Sequence, residues 1–162
     1  MRIRSKVAFA LAGAVVATGG AVTAPAGAAS AACPDGGYTS TPGERIKGPN
    51  NDTVYLVDPE GLKRPIVGAD TYLRLFRSWA GIKTRSDINC VRSAGKSVDG
   101  GTFISQNGNG SYYWTETLAD GYEERYRGIP SVAVYDKYFF RWDTARYRSP
   151  SYIAGRTLNP WT

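Results

Sequence analysis

Apolar and polar residues alternate along the first half of the chain in a way that predicts a β-hairpin. Residues 53–57, with the sequence TVYLV, are β-branched, aromatic or aliphatic, which favours a strand. Residues 58–61, DPEG, place proline second and glycine fourth, as a type I turn does. Residues 62–66 are therefore expected to return as a second strand. Pro65 lacks the N–H group of a strand ladder, so that strand must lie at a sheet edge or end there.

An apolar stripe with helical spacing follows the hairpin. Ala69, Tyr72, Phe76 and Trp79 recur every three or four residues, which predicts a short amphipathic helix with the aromatic side chains in the core. Residues 88–91 are expected to close the unit as a short strand. The first half of the chain therefore combines strands with one short helix.

The same order of elements returns in the second half of the chain, which indicates an internal repeat. An offset of 58 residues matches Ile46 with Ile104 and Tyr55 with Tyr113. A longer loop then raises the offset to 63, and this offset matches the three aromatic residues of the stripe with Tyr135, Phe139 and Trp142. The second helix is expected to begin near Val132 with Ser131 as its N-cap, and residues 151–154 are expected to form the closing strand.

These elements predict a β-rich α+β fold. Two tandem strand–turn–strand–short helix repeats, residues 43–98 and 101–158, would pack together as one pseudo-twofold domain. The small and polar residues 30–42 before them are expected to form a flexible arm. That arm would be pinned only through Cys33.

The first copy resembles a short repeat of secreted and surface proteins of bacteria. The resemblance rests on an Ile-Lys-Gly sequence, a Val-Tyr-Leu-Val strand, a Lys-Arg-Pro-Ile return and spaced aromatic residues, which stand at residues 46–48, 54–57 and 63–66 and at Phe76 and Trp79. Such repeats are accessory units. The resemblance therefore implies very little about function and supplies no catalytic residues.

The first 29 residues have the three parts of a secretion signal. Arg2, Arg4 and Lys6 precede an apolar run at residues 7–18, and the small residues 26–28 fit a cleavage site. As a helix the run is about 18 Å long, whereas a membrane span needs roughly 20 residues. We therefore expect a secreted, extracellular protein without a membrane span.

Cys33 and Cys90 are the only cysteines of the chain. In an oxidising compartment an even number of cysteines predicts a disulfide, which would tie the arm to the middle of the domain. Two free thiols are the alternative, as is a lipid on Cys33. Ser30 stands three residues before Cys33, where a lipidation signal places leucine or a similar residue.

The absence of histidine limits the chemistry that the chain can perform. Histidine-activated nucleophiles, histidine general bases and ordinary zinc sites are excluded, so we expect no enzyme, no catalytic residue, no metal and no cofactor. Carboxylate chemistry remains, and the acidic residues of the longer loop in the second copy are its candidates: Glu116, Asp120, Glu123 and Glu124. A solvated acidic loop is the simpler interpretation of that cluster.

Aromatic residues outside the helical stripes are the best candidates for a binding surface. Three of them are consecutive, and alternate residues of a strand face opposite ways, so at least one should point outward. Two basic residues near them complete the predicted site, whose members are Tyr112, Tyr113, Trp114, Tyr122, Tyr126, Arg146 and Arg148. Secretion and a formal net charge of only +6 for the whole chain argue against nucleic acid as the ligand.

These features favour a secreted non-catalytic interaction module. It would act as an adaptor or accessory subunit of an extracellular complex and bind another secreted or surface protein. Small linkers of multi-subunit antibacterial toxin particles have such a form. A module that binds cell-wall polysaccharide through exposed aromatic residues is the first alternative, and a small secreted hydrolase or inhibitor is the second.

Overall fold

The computed structural model describes residues 33–118 and 121–162, and its first sheet contains the predicted hairpin. The predicted signal, residues 1–29, lies outside the described residues. The sheet has the order β3-β2-β1-β4, in which β4 is parallel to β1 and the other pairs are antiparallel. Its strands are β1 Arg45–Lys47, β2 Val54–Val57, β3 Lys63–Pro65 and β4 Ile82–Thr84. Pro65 ends the outermost strand, as its missing N–H group requires.

The second sheet has five strands in the order β8-β5-β6-β7-β9. The central pairs β5–β6 and β6–β7 are antiparallel, whereas β8 and β9 join the two edges in parallel. The strands are β5 Thr102–Gln106, β6 Tyr112–Thr117, β7 Glu124–Ile129, β8 Arg146–Tyr147 and β9 Thr157–Leu158. Together the two mixed sheets and three short helices make a β-rich α+β protein.

Short helices follow the third strand of each sheet. They are α1 Ala69–Leu75 and α2 Val132–Lys137, and a third helix, α3 Pro150–Ile153, lies near the C-terminus. Ser131 is the N-cap of α2, and its hydroxyl oxygen accepts a hydrogen bond from the Val134 N–H, as predicted.

The two segments that were expected to be closing strands are helical, so both predictions were wrong. Residues 88–90 form a single 3-10 turn, in which the Cys90 N–H donates to the Asp87 carbonyl at 2.8 Å. Residues 151–153 belong to α3, because Pro150 has the backbone angle of a first helical residue and Ser149 caps the helix.

A short antiparallel contact joins the two halves directly after their helices. Phe76 leaves α1 in an extended conformation and pairs with Phe140. The Arg77 N–H donates to the Phe139 carbonyl at 3.1 Å, and the Arg141 N–H donates to the Leu75 carbonyl at 2.9 Å. Because α1 must end at Leu75 to make this contact, Trp79 lies beyond the helix.

The core prediction for the aromatic stripes was therefore right in part. Tyr72, Phe76 and Tyr135 are buried, but Trp79 and Trp142 are 47% and 38% exposed. Phe139 has a positive φ of 61° and is half-buried, while the next residue, Phe140, is fully buried. One extra residue between Tyr135 and the buried phenylalanine thus shifts the second copy out of the predicted alignment.

Trp161 closes the core from the C-terminal end of the chain. Its ring is fully buried and stacks on Trp114 with the ring centroids 4.2 Å apart. The guanidinium groups of Arg64 and Arg127 lie 5.5 and 5.0 Å from its ring centroid. The backbone N–H of Trp161 donates to the Gly128 carbonyl at 2.8 Å, which fixes the tail against β7. A single residue near the terminus thus contacts parts of both sheets.

The described part of the arm is held at several points. The predicted disulfide joins Cys33 to Cys90, with their Cα atoms 5.1 Å apart. The Tyr38 N–H donates to the Cys90 carbonyl and the Arg92 N–H donates to the Tyr38 carbonyl, both at 2.9 Å. The Ser40 N–H donates to the Gly61 carbonyl at 2.8 Å. Residues 38–40 are thus held by backbone hydrogen bonds as well as through Cys33.

We expect Trp161→Ala to destabilise the protein by about 3–5 kcal/mol, because it removes a buried aromatic ring and the stacking partner of Trp114. Urea unfolding followed by circular dichroism measures this change. Leu158→Ala is the matched control in the same tail: Leu158 is half exposed, and its loss should change the free energy of unfolding by no more than about 0.5 kcal/mol. Equal effects of the two variants would contradict the role assigned to Trp161.

Replacing both cysteines by serine should lower the free energy of unfolding by roughly 2–4 kcal/mol, because the unfolded chain loses a long closed loop. The folded state should persist, since the backbone hydrogen bonds of residues 38–40 do not depend on sulfur. Near-ultraviolet circular dichroism of Cys33→Ser/Cys90→Ser should therefore match that of the wild type at low urea. A spectrum without native aromatic bands would show that the arm depends on the disulfide alone.

Candidate functional site

An aromatic cleft opens beside the N-terminal end of α1 and is called the first cleft here. It has a volume of about 570 Å³, and its wall includes Asn50, Asn51, Asp52, Val54, Tyr72 and Trp79. Trp79 stacks on Tyr72 with the ring centroids 3.8 Å apart and an interplanar angle of 3°. Because Tyr72 covers one face of the indole and Trp79 is half exposed, the opposite face is the part that a ligand can reach.

The buried side chain of Arg45 fixes the backbone that carries Trp79. Its guanidinium group donates to the carbonyl groups of Ser78 and Ala80, each at 2.7 Å, and also bonds the Tyr72 hydroxyl. The same guanidinium lies 4.5 Å from the ring centroid of Phe139. These contacts satisfy a charge that would otherwise be costly to bury. Arg45 therefore holds both members of the Tyr72–Trp79 stack in place.

A second cleft lies beside the N-terminal end of α2. It is smaller, with a volume of about 210 Å³, and its wall includes Tyr112, Ile129, Tyr135 and Trp142. Trp142 stacks on the buried Tyr135 with the ring centroids 3.4 Å apart. Burial raises the pKa of Tyr135, so its hydroxyl stays protonated, and it donates to the Arg141 carbonyl. The base of the second cleft is thus a neutral, hydrogen-bonded phenol.

The two clefts are built from corresponding positions. Tyr72 and Tyr135 are each the fourth residue of their helix, and each carries the exposed tryptophan on its ring. Val54 and Tyr112 are each the first residue of the second strand of their sheet. The offsets of 58 and 63 that align the sequence halves also relate these pairs. The clefts differ most at this strand position, which is occupied by Val54 in the first cleft and by Tyr112 in the second.

The ring of Tyr112 lines the second cleft and lies beside the Tyr135–Trp142 stack. Its ring centroid lies 4.8 Å from that of Trp142 at an interplanar angle of 80°, and 5.5 Å from that of Tyr135 at 73°. Such edge-to-face contacts are favourable for aromatic rings. Val54 is too short to make an equivalent contact with Trp79, and the first cleft is correspondingly larger.

Of the predicted binding aromatics, Trp114 and Tyr126 are fully buried and cannot form a surface, so their assignment was wrong. Both lie in strands of the second sheet, where Trp114 faces Trp161 and Tyr126 bonds Glu124. Tyr112 and Tyr113 are half-buried, and Tyr122 is 89% exposed. Trp79 and Trp142 were not among the predicted site residues, because their helical spacing placed both stripes entirely in the core.

The predicted basic residues lie against their own sheet. Arg148 forms an ion pair with Glu124 at 2.8 Å. The guanidinium group of Arg146 lies over the buried Phe103, 4.4 Å from its ring centroid, and the residue is exposed. Arg148 is therefore engaged inside the fold, whereas Arg146 keeps a surface that a ligand can reach.

The acidic residues of the longer loop are also used by the fold. Glu116 accepts hydrogen bonds from Arg64 and from the Trp114 indole N–H. The hydrogen bonds from Arg148 and Tyr126 hold the pKa of Glu124 below its usual value. A general acid needs the opposite shift, so Glu124 is unsuited to that role. Asp120 lies outside the described residues.

Comparisons with known proteins identify no relative. No protein-family model, no curated protein and no solved structure matches the chain. Across residues 33–118 and 121–162, no helix has the length and apolar character needed to cross a membrane. Within the same residues, no group of three or more histidine, cysteine or acidic side chains is placed to hold a metal ion.

We expect Glu124→Gln to weaken the acid sensitivity of the protein. Because the pKa of Glu124 is lowered in the folded state, its ionised form stabilises the fold above its ordinary pKa, and this stabilisation is lost as the pH falls below about 4.5. At pH 7 the free energy of unfolding of the variant should be about 1 kcal/mol below that of the wild type, and this difference should become smaller at about pH 3. Urea unfolding at the two pH values measures both changes.

Asp143→Asn provides the control for this prediction, because Asp143 also pairs with an arginine but its side chain is mostly exposed. We expect the free energy of unfolding of this variant to match that of the wild type within error at either pH, because solvent screens the exposed pair. If the free energies of unfolding of the wild type and of Glu124→Gln changed by the same amount between the two pH values, the assigned role of Glu124 would be contradicted.

Proposed function

We propose that the protein is an exported, non-catalytic interaction module that acts as an adaptor or accessory subunit and binds another secreted or surface protein. The observation that carries this proposal is the pair of aromatic clefts, each with an exposed tryptophan held flat on a buried tyrosine. Rigid aromatic side chains are typical anchors of protein interfaces, because they bury a large area while losing little conformational freedom.

An internal duplication would account for the paired clefts. The order β3-β2-β1-β4 of the first sheet has the same connectivity as β7-β6-β5-β8 in the second, including the parallel fourth strand. The contact between Phe76 and Phe140 lies between the two halves. These features support a pseudo-twofold arrangement of two repeats.

Export is supported by the N-terminal sequence and by the disulfide. Residues 1–29 have the order of charged, apolar and small residues of a secretion signal. The bond between Cys33 and Cys90 is typical of proteins that fold in an oxidising compartment. The proposed partner is therefore an extracellular protein.

A binding role also agrees with the use of the charged groups. The chain has no histidine, and Glu116 and Glu124 are engaged by arginine side chains. The lowered pKa of Glu124 makes this carboxylate unsuited to act as a general acid.

Cell-wall polysaccharide is the second candidate ligand, because the rim of the first cleft places polar side chains beside an exposed indole. Asn50, Asn51 and Asp52 are exposed beside Trp79. Amide and carboxylate groups can hydrogen-bond sugar hydroxyls while an indole face packs on the sugar ring. The same polar groups can equally bond a polypeptide.

Capture experiments test the proposed function. Protein collected from the culture medium, immobilised and exposed to the native supernatant, should retain one protein in roughly equimolar amount. Trp79→Ala should lower that retention at least about tenfold, because truncation of an interface anchor costs more than about 1.4 kcal/mol. Tyr147→Ala, which removes an equally exposed aromatic ring outside the clefts, is the matched control and should bind as the wild type does.

A failure to retain any stoichiometric protein would contradict the adaptor proposal. Sedimentation with purified cell walls then separates the two candidates. Binding to walls that Trp79→Ala abolishes, without a retained protein, would favour the polysaccharide ligand.

A further inference from the structure

The second cleft contains a side chain of the protein itself at the place where the first cleft is open. Tyr112 contacts both Trp142 and Tyr135 edge to face, with ring centroids 4.8 and 5.5 Å apart. In the first cleft the corresponding residue is Val54, and the volume is about 570 Å³ instead of 210 Å³. The protein thus contains one occupied and one open version of the same arrangement.

We propose that the first cleft binds an aromatic side chain, tyrosine in preference to phenylalanine, from a partner polypeptide. That side chain would contact the Tyr72–Trp79 stack as Tyr112 contacts the Tyr135–Trp142 stack. Val54 is the residue that keeps the first cleft open, and Tyr112 is the residue that closes the second. This inference rests on the proposed function, since it assigns the adaptor's binding position.

The rim of the first cleft complements a phenol. Asp52, Asn50 and Asn51 are exposed at its edge and present carboxylate and amide oxygens that accept hydrogen bonds. A tyrosine hydroxyl is a donor that such a rim can bond, whereas phenylalanine offers none. At the second cleft the residue that corresponds to Asp52 is Gly110, which has no acceptor side chain. By the same offset Asn51 corresponds to Asn109, so the carboxylate of Asp52 is the rim group that has no counterpart at the second cleft.

A sugar ring would reproduce the contacts of Tyr112 with the Tyr135–Trp142 stack less well than an aromatic ring would. Tyr112 lies beside the Tyr135–Trp142 stack and is nearly perpendicular to both of its rings, with interplanar angles of 73° and 80°. The positive edge of an aromatic ring is attracted to the negative face of another, which is a contact between two aromatic systems. The protein's own occupant therefore indicates an aromatic ligand, and binding of a sugar becomes the competing outcome of the test.

Reciprocal substitutions at the two strand positions test the proposal. Val54→Tyr places in the first cleft the side chain that closes the second, and Tyr112→Val opens the second cleft. A phage library of random peptides, first depleted on Val54→Tyr, is then selected on the wild-type protein. We expect the recovered peptides to share one tyrosine, and its replacement by alanine should weaken binding at least about tenfold.

Trp79 gives a direct readout of where such a peptide binds. Its indole N–H signal in a nitrogen–proton correlation spectrum, assigned with Trp79→Phe, should shift on titration with a selected peptide. The signal of Trp142 should shift only in Tyr112→Val, which should then bind two peptides per chain instead of one. Peptides without a shared aromatic residue, or peptides that bind Val54→Tyr as well as the wild type, would overturn the proposal.

A second measurement does not depend on any ligand or on the folding of Val54→Tyr. Trp114 and Trp161 are fully buried, so in Trp79→Phe the quenching of tryptophan fluorescence by acrylamide reports on Trp142. Tyr112→Val added to this variant should increase the quenching clearly. Unchanged quenching would show that Tyr112 does not close the second cleft.

The outcomes separate this inference from the proposed function. If chitotetraose shifts the Trp79 signal and no selected peptide does, the first cleft is a sugar site and the inference is wrong. If a supernatant protein is retained equally by wild type and Val54→Tyr, the adaptor role stands and the inference fails. If tyrosine peptides bind the first cleft but no extracellular protein is retained, the inference stands and the adaptor role fails.

Discussion

The packing of the Trp161 ring is the interaction on which the arrangement of the two sheets depends. Its ring packs on Trp114 and lies near the guanidinium groups of Arg64 and Arg127. Ion pairs to Glu116 and Glu60 connect these two arginines across the halves of the chain. Glu60 is half exposed and Glu116 is mostly buried, and neither exposed nor buried ion pairs add as much stability as their Coulomb attraction suggests. The buried aromatic area around Trp161 is therefore the main attraction, and the ion pairs fix the orientation.

A second constraint couples this core to the first cleft. Arg45 is buried, and its donors reach the carbonyl groups of Ser78 and Ala80 on either side of Trp79. Tyr72 belongs to the same core that contains Trp161 and Phe140, so the floor of the cleft is as rigid as the core. An exposed indole on such a floor loses little further conformational freedom on binding, which favours affinity.

The sequence predicted those parts of the structure that depend on neighbouring residues. Local spacing predicted the hairpin that ends at Pro65, the Ser131 cap and the burial of Tyr72 and Tyr135. The disulfide was predicted from the expected oxidising compartment and the even number of cysteines. The positions of Trp79 and Trp142 could not be predicted in this way. They depend on where each helix ends, and α1 ends because Phe76 pairs with Phe140 in the other half of the chain.

The burial of Trp114 instead of Tyr113 illustrates the same limit at the candidate site. Alternation along a strand requires that consecutive aromatic residues face different ways, but only the surrounding sheet and Trp161 determine which residue faces the core. Once Trp114 is inside, Tyr112 two positions earlier points toward the same side and meets the Tyr135–Trp142 stack. The first sheet has Leu56 and Val54 at the corresponding positions, so the same geometry there leaves space. One difference in side-chain size, Val54 against Tyr112, thus separates a cleft that the protein partly fills with its own side chain from one that stays open.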